Sequence, residues 1–227
     1  MKHLVVLTGA GISAESGLRT FRDSDGLWEG YDVTEVATPH AWQRDPELVL
    51  NFYNMRRREV AAAAPNAAHL ALADLEKKWK VTIITQNIDD LHERAGSSKV
   101  IHLHGEIFKM RGSNDIDTWY EIRNDMEPGA LAPDGTLFRP AIVWFGETVP
   151  MMSAALHLAQ QADIFAVIGT SLAVYPAASL LDFVEDAVPK FIIDKKIPYT
   201  RGIINLKAIE APASTGVIEM TKLLLEQ

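Results

Sequence analysis

Leu4–Thr8 is a short, uniformly apolar and β-branched run that stops at Gly9-Ala10-Gly11-Ile12-Ser13-Ala14. A run so short and so apolar suits a strand buried on both faces, which requires a parallel sheet with helices above and below it. The small residues after it let the chain turn at once into a helix. Gly9 permits the tight turn, and Gly11 lets the backbone approach a pyrophosphate whose charge a helix N-terminus favours. Ala14 stands as the third small residue of a dinucleotide-binding pattern. Small residues after a first strand also occur in α/β proteins that bind no nucleotide. The usual acidic residue at the end of the second strand is also missing, since Val81–Thr85 leads into Gln86-Asn87-Ile88-Asp89.

The rest of the chain alternates in the same way. Asp45-Pro46-Glu47 carries helix-start chemistry, and Leu48, Phe52 and Met55 give the helix an apolar face as far as Ala64, before Pro65. Asn66 can cap a second helix running to Lys77. A short helix from Asp89 should stop near Gly96. Further strands are expected at Lys99–His104, Ala141–Phe145, Ile164–Gly169, Lys190–Asp194 and Gly202–Leu206, and helices at 151–162, 177–187 and 215–226. The expected fold class is therefore α/β: a Rossmann-like, mostly parallel sheet with helices on both faces. Residues 107–139 break the rhythm with Gly112, Pro128, Gly129, Pro133 and Gly135. They read as a small inserted module between 1–106 and 140–227.

Composition narrows the function classes. With 227 residues, 48 % of them apolar, the chain can bury a core without staples. It has no cysteine, which excludes disulfides, thiolate catalysis and thiolate-held zinc. A net charge of −8 disfavours nucleic acid as a partner. The apolar stretch after Met1-Lys2-His3 is too short for a membrane span and carries no signal-peptide pattern, so a cytoplasmic protein with no membrane partner is expected.

Two polar constellations stand at strand ends, where open α/β sheets bind ligands. Asn87 and Asp89 follow the second strand; helix capping by Asp89 is the alternative reading. His102 and His104 lie two apart in His102-Leu103-His104-Gly105-Glu106 and share one face of a strand. Either could act as a base near neutral pH, the pair could hold part of a metal site, or both could be hydrogen-bonded core residues.

Taken together, GAGISAESG at 9–17 with LRTFRDSDGLW to 28, QNIDDLHERAG at 86–96, HLHGE at 102–106, RPAIVWFGE at 139–147 and GTSLAVYPAA at 169–178 resemble the ordered motifs of the sirtuin family. The resemblance implies NAD as co-substrate and acyl-lysine protein side chains as substrates. In that chemistry the acyl oxygen attacks the ribose carbon that loses nicotinamide, and a histidine takes a proton from a ribose hydroxyl. By position this histidine is His104, with Asn87 and Asp89 beside the nicotinamide and ribose. Activity should then fall as pH drops below the imidazole pKa, ~6.5 when unperturbed. The resemblance places the cofactor against Gly9, Ala10, Gly11, Ser13 and Ala14. Thr20, Phe21, Arg22 and Trp28 belong to its loop. Gln86, Ile88, Gly169, Thr170 and Ser171 join it, with Asp194 and Ala213 at the adenosine end. Val143, Trp144, Phe145, Gly146 and Glu147 match a segment that pairs with substrate backbone as an added strand.

Tyr53 and Arg56 stand at i and i+3 of the long helix, beside its apolar row. A phenol and a guanidinium in an apolar tunnel suit a carboxylate, and Tyr-x-x-Arg resembles the bacterial sirtuin subgroup that removes succinyl and malonyl groups, with acetyl also accepted. A solvated face within Arg56-Arg57-Arg58 is the alternative. Relatives hold a zinc with four cysteines in the small module. Here 107–139 has neither Cys nor His, so no zinc is expected, and Phe108, Trp119, Tyr120, Ile122 and Leu137 should hold the module by packing. A monomer is expected. The rival functions are an oxidoreductase, a mono-ADP-ribosyltransferase and a non-catalytic NAD-binding protein.

Overall fold

The computed structural model describes residues 1–19, 27–28, 30–200 and 202–226. Chain order begins β1 (His3–Thr8), α1 (Ala10–Ser13), β2 (Leu27–Trp28), β3 (Tyr31–Asp32), α2 (Val33–Val36), α3 (Pro39–Arg44), α4 (Pro46–Ala62) and α5 (Ala67–Leu75). It continues with β4 (Lys80–Thr85), α6 (Leu91–Ala95), β5 (Val100–His102), β6 (Gly105–Gly112), β7 (Trp119–Glu121) and β8 (Phe138–Ile142). The last part holds α7 (Met152–Gln160), β9 (Ile164–Ile168), β10 (Lys190–Asp194), β11 (Leu206–Glu210) and α8 (Ala213–Leu225).

Six strands form a parallel sheet in the order β11-β10-β9-β1-β4-β5, as expected for this fold class. Its central strands are covered on both sides, which explains their unbroken apolar runs. Leu4, Val6, Ile83, Ala166 and Ile193 face one core with α5 and α8. Val5, Leu7, Ile84, Phe165 and Ile192 face the other core, with α7. Strand order reverses at β1, between β4 and β9, so the C-terminal ends of these three strands flank a switch-point crevice.

Capping places the helices as their sequence requires. Asp45 Oδ1 accepts from Leu48 N (2.9 Å) with Pro46 in the first turn of α4. Asn66 Oδ1 accepts from Ala68 N (2.9 Å) at the start of α5, while its Nδ2 donates to Ile12 O (2.8 Å) and ties that helix to the glycine turn. Gly96, left-handed at φ +103°, ends α6.

Several elements differ from the sequence reading. The strand expected at Ala141–Phe145 is β8, which begins at Phe138 and pairs antiparallel with β6, outside the parallel sheet. Left-handed Gly105 (φ +84°) turns the chain away from the main sheet there. A Cβ at that position would lie 2.0 Å from Ala141 O. The helix expected over 177–187 is a 3-10 helix, Ala177–Phe183. The last strand is β11 rather than Gly202–Leu206, because Gly202 and Asn205 both have positive φ, 92° and 55°. Asn205 instead donates to the carbonyls of Asp186 (3.2 Å) and Ala187 (3.1 Å).

In the small sheet β7-β6-β8, Phe108 is buried, and Ile122 and Leu137 pack against the core beneath α4, as expected. Tyr120 meets the Phe138 ring at 5.4 Å. Trp119 departs from expectation: it is 39 % exposed and its indole donates to Ile116 O (3.0 Å). Met126 takes the buried place instead.

Two loops interlock through glycine. Gly9 N donates to Ile168 O (3.0 Å) and Gly11 N to Gly169 O (2.8 Å). A Cβ at Gly11 would sit 2.7 Å from Gly169 Cα, and one at Gly169 (φ +63°) would sit 2.3 Å from Ile12 N. Neither contact can relax by a side-chain shift, so Gly169→Ala should destabilise the fold by about 2–4 kcal/mol through left-handed strain and backbone collision. Urea unfolding checks it; an unchanged midpoint would remove the interlock as a fold determinant.

A second expectation concerns acid. His69 and His92 are buried with rings 4.9 Å apart. Burial pushes His69 down to about 4, and burial followed by the charge of His69 holds His92 well below the ordinary value. Between ~6.5 and the lowered values the unfolded chain binds protons that the fold refuses. Stability is therefore full above ~6.5 and falls with pH below it, by about 1.4 kcal/mol per pH unit for His69 alone. Urea midpoints at pH 7 and 5 should show this, and His69→Gln should flatten the slope.

Candidate active site

The switch-point crevice opens into a cavity of about 490 Å³ that runs from the glycine turn to α4. Its floor is the end of β1. Ser13 Oγ donates to Asp89 Oδ2 (3.0 Å), while Asn87 Nδ2 donates to Gly9 O (3.1 Å) and Ser13 Oγ (3.2 Å). Asp89 Oδ1 also accepts from Leu91 N (3.2 Å), but the N-cap of α6 is Asp90, so Asp89 stands just before the helix and in the cavity rather than at the cap. Burial pushes its carboxyl above the ordinary range, against the hydrogen bonds from Leu91 and Ser13. On the β9 side, Gln86 Nε2 donates to Thr170 Oγ1 (3.2 Å).

The two histidines separate cleanly. His104 Nδ1 lies 3.0 Å from Gln86 O. A carbonyl can only accept, so Nδ1 carries the proton and Nε2 of the neutral ring keeps its lone pair. The ring lines the cavity, and burial lowers its pKa despite the Gln86 carbonyl. His102 is engaged at both nitrogens, Nδ1 with Asn87 O (3.0 Å) and Nε2 with Glu93 Oε1 (2.8 Å). Burial alone would lower its pKa, but the Glu93 bond and charge raise it. His102 does not line the cavity, whereas His104 does, so of the two only His104 presents a ring nitrogen to it.

At the far end, Tyr53 and Arg56 project from α4 into the same cavity, both buried, so the solvated-face alternative fails. Trp28 meets this group edge to face, with ring centres 4.9 Å from Phe52 and 6.2 Å from Tyr53, and the Arg56 guanidinium lies 5.6 Å from its ring. Arg56 Nη1 is held by Glu59 Oε2 at 2.7 Å. The 143–147 segment forms one rim. Val143 N donates to His104 O (2.9 Å) and Phe145 N to Ala37 O (3.0 Å). Glu147 takes a two-pronged bond from Arg139 (2.7 and 3.1 Å).

Gly9, Ala10, Gly11, Ser13 and Ala14 line this cavity together with Gln86, Asn87, Ile88 and Asp89. Gly169, Thr170 and Ser171, joined to that glycine turn, line it as well, with Asp194 and Ala213. Trp144, Phe145 and Gly146 complete the rim with Val143 and Glu147. Thr20, Phe21 and Arg22 lie outside the described residues. One role changes: the missing Cβ of Gly11 admits Gly169, and its amide is spent there, so close approach serves the neighbouring loop first. Sequence reasoning missed Leu18, Val60, Ile142 and Tyr175, apolar or aromatic positions with no distinguishing pattern, and Lys195 and Lys196 beside Asp194. The lysine pair was visible as a charge doublet at a strand end.

The donor set suits a dinucleotide. It offers carboxylates and amides that can bind ribose hydroxyls, Lys195 and Lys196 beside Asp194, and a long cavity with a largely apolar lining. Among the described residues no three His, Cys, Asp or Glu side chains converge on a metal position.

Known proteins agree with this geometry. The family model described as "Sir2 family" matches residues 9–176. An "NAD-dependent protein deacylase" of Helicobacter pylori is 50 % identical over 226 residues, covering 100 % of this chain and 99 % of its own. A mutant Sir2 homologue solved in complex with ADP-ribose superposes with a TM-score of 0.90 at 38 % identity, covering 99 % of this chain and 92 % of the other. A Sir2 complex with a deacetylated p53 peptide and 3′-O-acetyl ADP-ribose gives 0.79 at 32 % identity, over 98 % and 92 %. The ordered motifs, the switch-point cavity and these full-length likenesses make one case: the chain belongs to the Sir2 family.

Proposed function

We propose that this protein is an NAD-dependent protein lysine deacylase that removes succinyl and malonyl groups, and also acetyl, consuming NAD and one water and leaving nicotinamide, O-acyl-ADP-ribose and free lysine. One observation carries the reading: a single cavity holds an unprotonated His104 Nε2 at its centre and the Tyr53–Arg56 pair at its end. NAD, when bound, supplies the ribose carbon that releases nicotinamide and receives the acyl oxygen. Asn87 and Asp89 hold its nicotinamide and ribose end, with Gln86 beside them, and Asp194 its adenosine ribose. His104 Nε2 takes the ribose proton. The apolar wall of Trp28, Val60 and Ile142 excludes water from the acyl chain, and Arg56 receives an anionic acyl end. The protein acts as a monomer on protein substrates, with neither nucleic acid nor membrane as a partner.

The test is turnover of one lysine peptide in acetyl and succinyl forms, with and without NAD. His104→Ala should reduce both activities by roughly 10²–10⁴-fold. Arg56→Met should lower desuccinylation by roughly 10–100-fold while sparing much more of the deacetylation. Nicotinamide release with no acyl loss from either peptide would move the assignment to ADP-ribosyl transfer.

The lowered His104 pKa sets the pH profile. The neutral base persists below the ordinary imidazole value, so the acid limb of kcat/KM should fall below ~6.5 rather than at it. A limb at or above that value contradicts the assignment of His104 as the base.

The small module is proposed to hold without zinc. Asp134 Oδ1 accepts from Thr136 N (3.0 Å) and Oγ1 (2.7 Å), and Thr136 Oγ1 accepts from Ser113 N (2.9 Å). Ser113 Oγ donates to Leu137 O (2.8 Å) and accepts from Trp42 Nε1 (3.2 Å). These bonds join the two loop ends to α3. Chelator treatment should leave the thermal midpoint unchanged and metal analysis should find far less than one zinc per chain; stoichiometric zinc refutes this.

A further inference from the structure

The Tyr53 hydroxyl has one partner among the described residues, and it is a donor: Trp144 Nε1 gives its proton to Tyr53 Oη at 3.0 Å. The Tyr53 ring cannot turn away, since it is fully buried between Phe52 (5.1 Å) and Trp28 (6.2 Å). A phenolic hydrogen lies near the ring plane and has two positions there. With the indole N–H directed at one side of the oxygen, the O–H is driven to the other. Burial holds the phenol in its protonated form, so it stays a donor across the working pH range.

Trp144 is itself clamped. Arg139 lies 3.2 Å from the centre of its ring, and Glu147, bonded to both arms of that guanidinium, also accepts from Trp144 N (2.8 Å). Arg139 Nη2 further donates to Ile142 O (2.9 Å). The segment read from sequence only as a strand-pairing rim thus reaches through its indole into the acyl end of the cavity.

We propose that Trp144 is a positioning residue for acyl selection: by donating to Tyr53 Oη it makes that hydroxyl a fixed donor, set beside Arg56 to meet the carboxylate of an anionic acyl chain. This rests on the reading that such chains are substrates. A tryptophan that only fills space would affect all acyl groups alike, whereas one that orients a donor affects the anionic ones most.

The experiment measures kcat/KM on succinyl and acetyl forms of one peptide for the parent, Tyr53→Phe, Trp144→Phe and the double variant. Trp144→Phe should lower desuccinylation at least fivefold further than deacetylation. It should add nothing to the succinyl-to-acetyl ratio once Tyr53 is Phe. Should Trp144→Phe fold poorly, benzothienylalanine at 144 keeps the indole shape, replaces N–H by sulfur, and must give the same ratio change. An unchanged ratio in the Trp144 variants, with Tyr53→Phe still shifting it, overturns the inference and leaves the anionic acyl reading standing. A parent that removes acetyl but not succinyl overturns both.

Discussion

The contact of Gly9 and Gly11 with Gly169 fixes the distances on which the site depends. β1 and β9 are paired in register up to Thr8 and Ile168, and main-chain bonds from Gly9 to Ile168 and Gly11 to Gly169 carry that pairing into the two turns that follow. Side chains between these backbones would force the turns apart, given the 2.3–2.7 Å approaches to backbone atoms that an added Cβ would make. The third strand end joins through side-chain amides, Gln86 to Thr170 and Asn87 to Gly9. The glycine turn and the wall that carries His104 are therefore one cross-linked unit, and the histidine that hangs from Gln86 inherits its position.

The same peptide segment divides the labour of the two histidines. Gln86 O binds His104 and Asn87 O binds His102, successive carbonyls holding residues two apart. What separates their chemistry is the second nitrogen. Glu93 occupies that of His102 and favours its charged form, making it a brace for the Asn87 peptide. Among the described residues no such acid is bonded to His104, and burial lowers its pKa and favours the neutral ring. Spacing alone could not distinguish the pair, because the deciding carboxylate comes from α6.

Elements with strong local chemistry were legible in the sequence. The Asp45-Pro46 and Asn66 caps, the buried runs of β1, β4, β9 and β10, and Gly96 all form where short-range rules place them. Misplaced elements are those that long-range contacts decide. Ala141–Phe145 has strand composition, but its partner is chosen by the turn at Gly105. Gly202–Leu206 looks like a strand until the left-handed Asn205 and its bonds to 186 and 187 are seen. The site was readable through the family motifs. The hydrogen bond from Trp144 to Tyr53 spans 91 positions and leaves no trace in local pattern.

Charge explains how one cavity could accept both neutral and anionic acyl groups on the proposed reading. A buried guanidinium without a counter-charge is costly, and an anionic substrate would relieve that cost only while bound. Glu59, one helical turn on from Arg56 and 38 % exposed at its side chain, pairs with it at 2.7 Å in the substrate's absence. The cavity is thus tolerable when empty or when an acetyl group fills it. A carboxylate arriving from the tunnel would meet a guanidinium that Glu59 already holds, so on this reading the gain from anionic substrates is moderated rather than absolute. Selectivity then depends on donors added beside the arginine, and this places the weight on Tyr53 and on the indole that orients it.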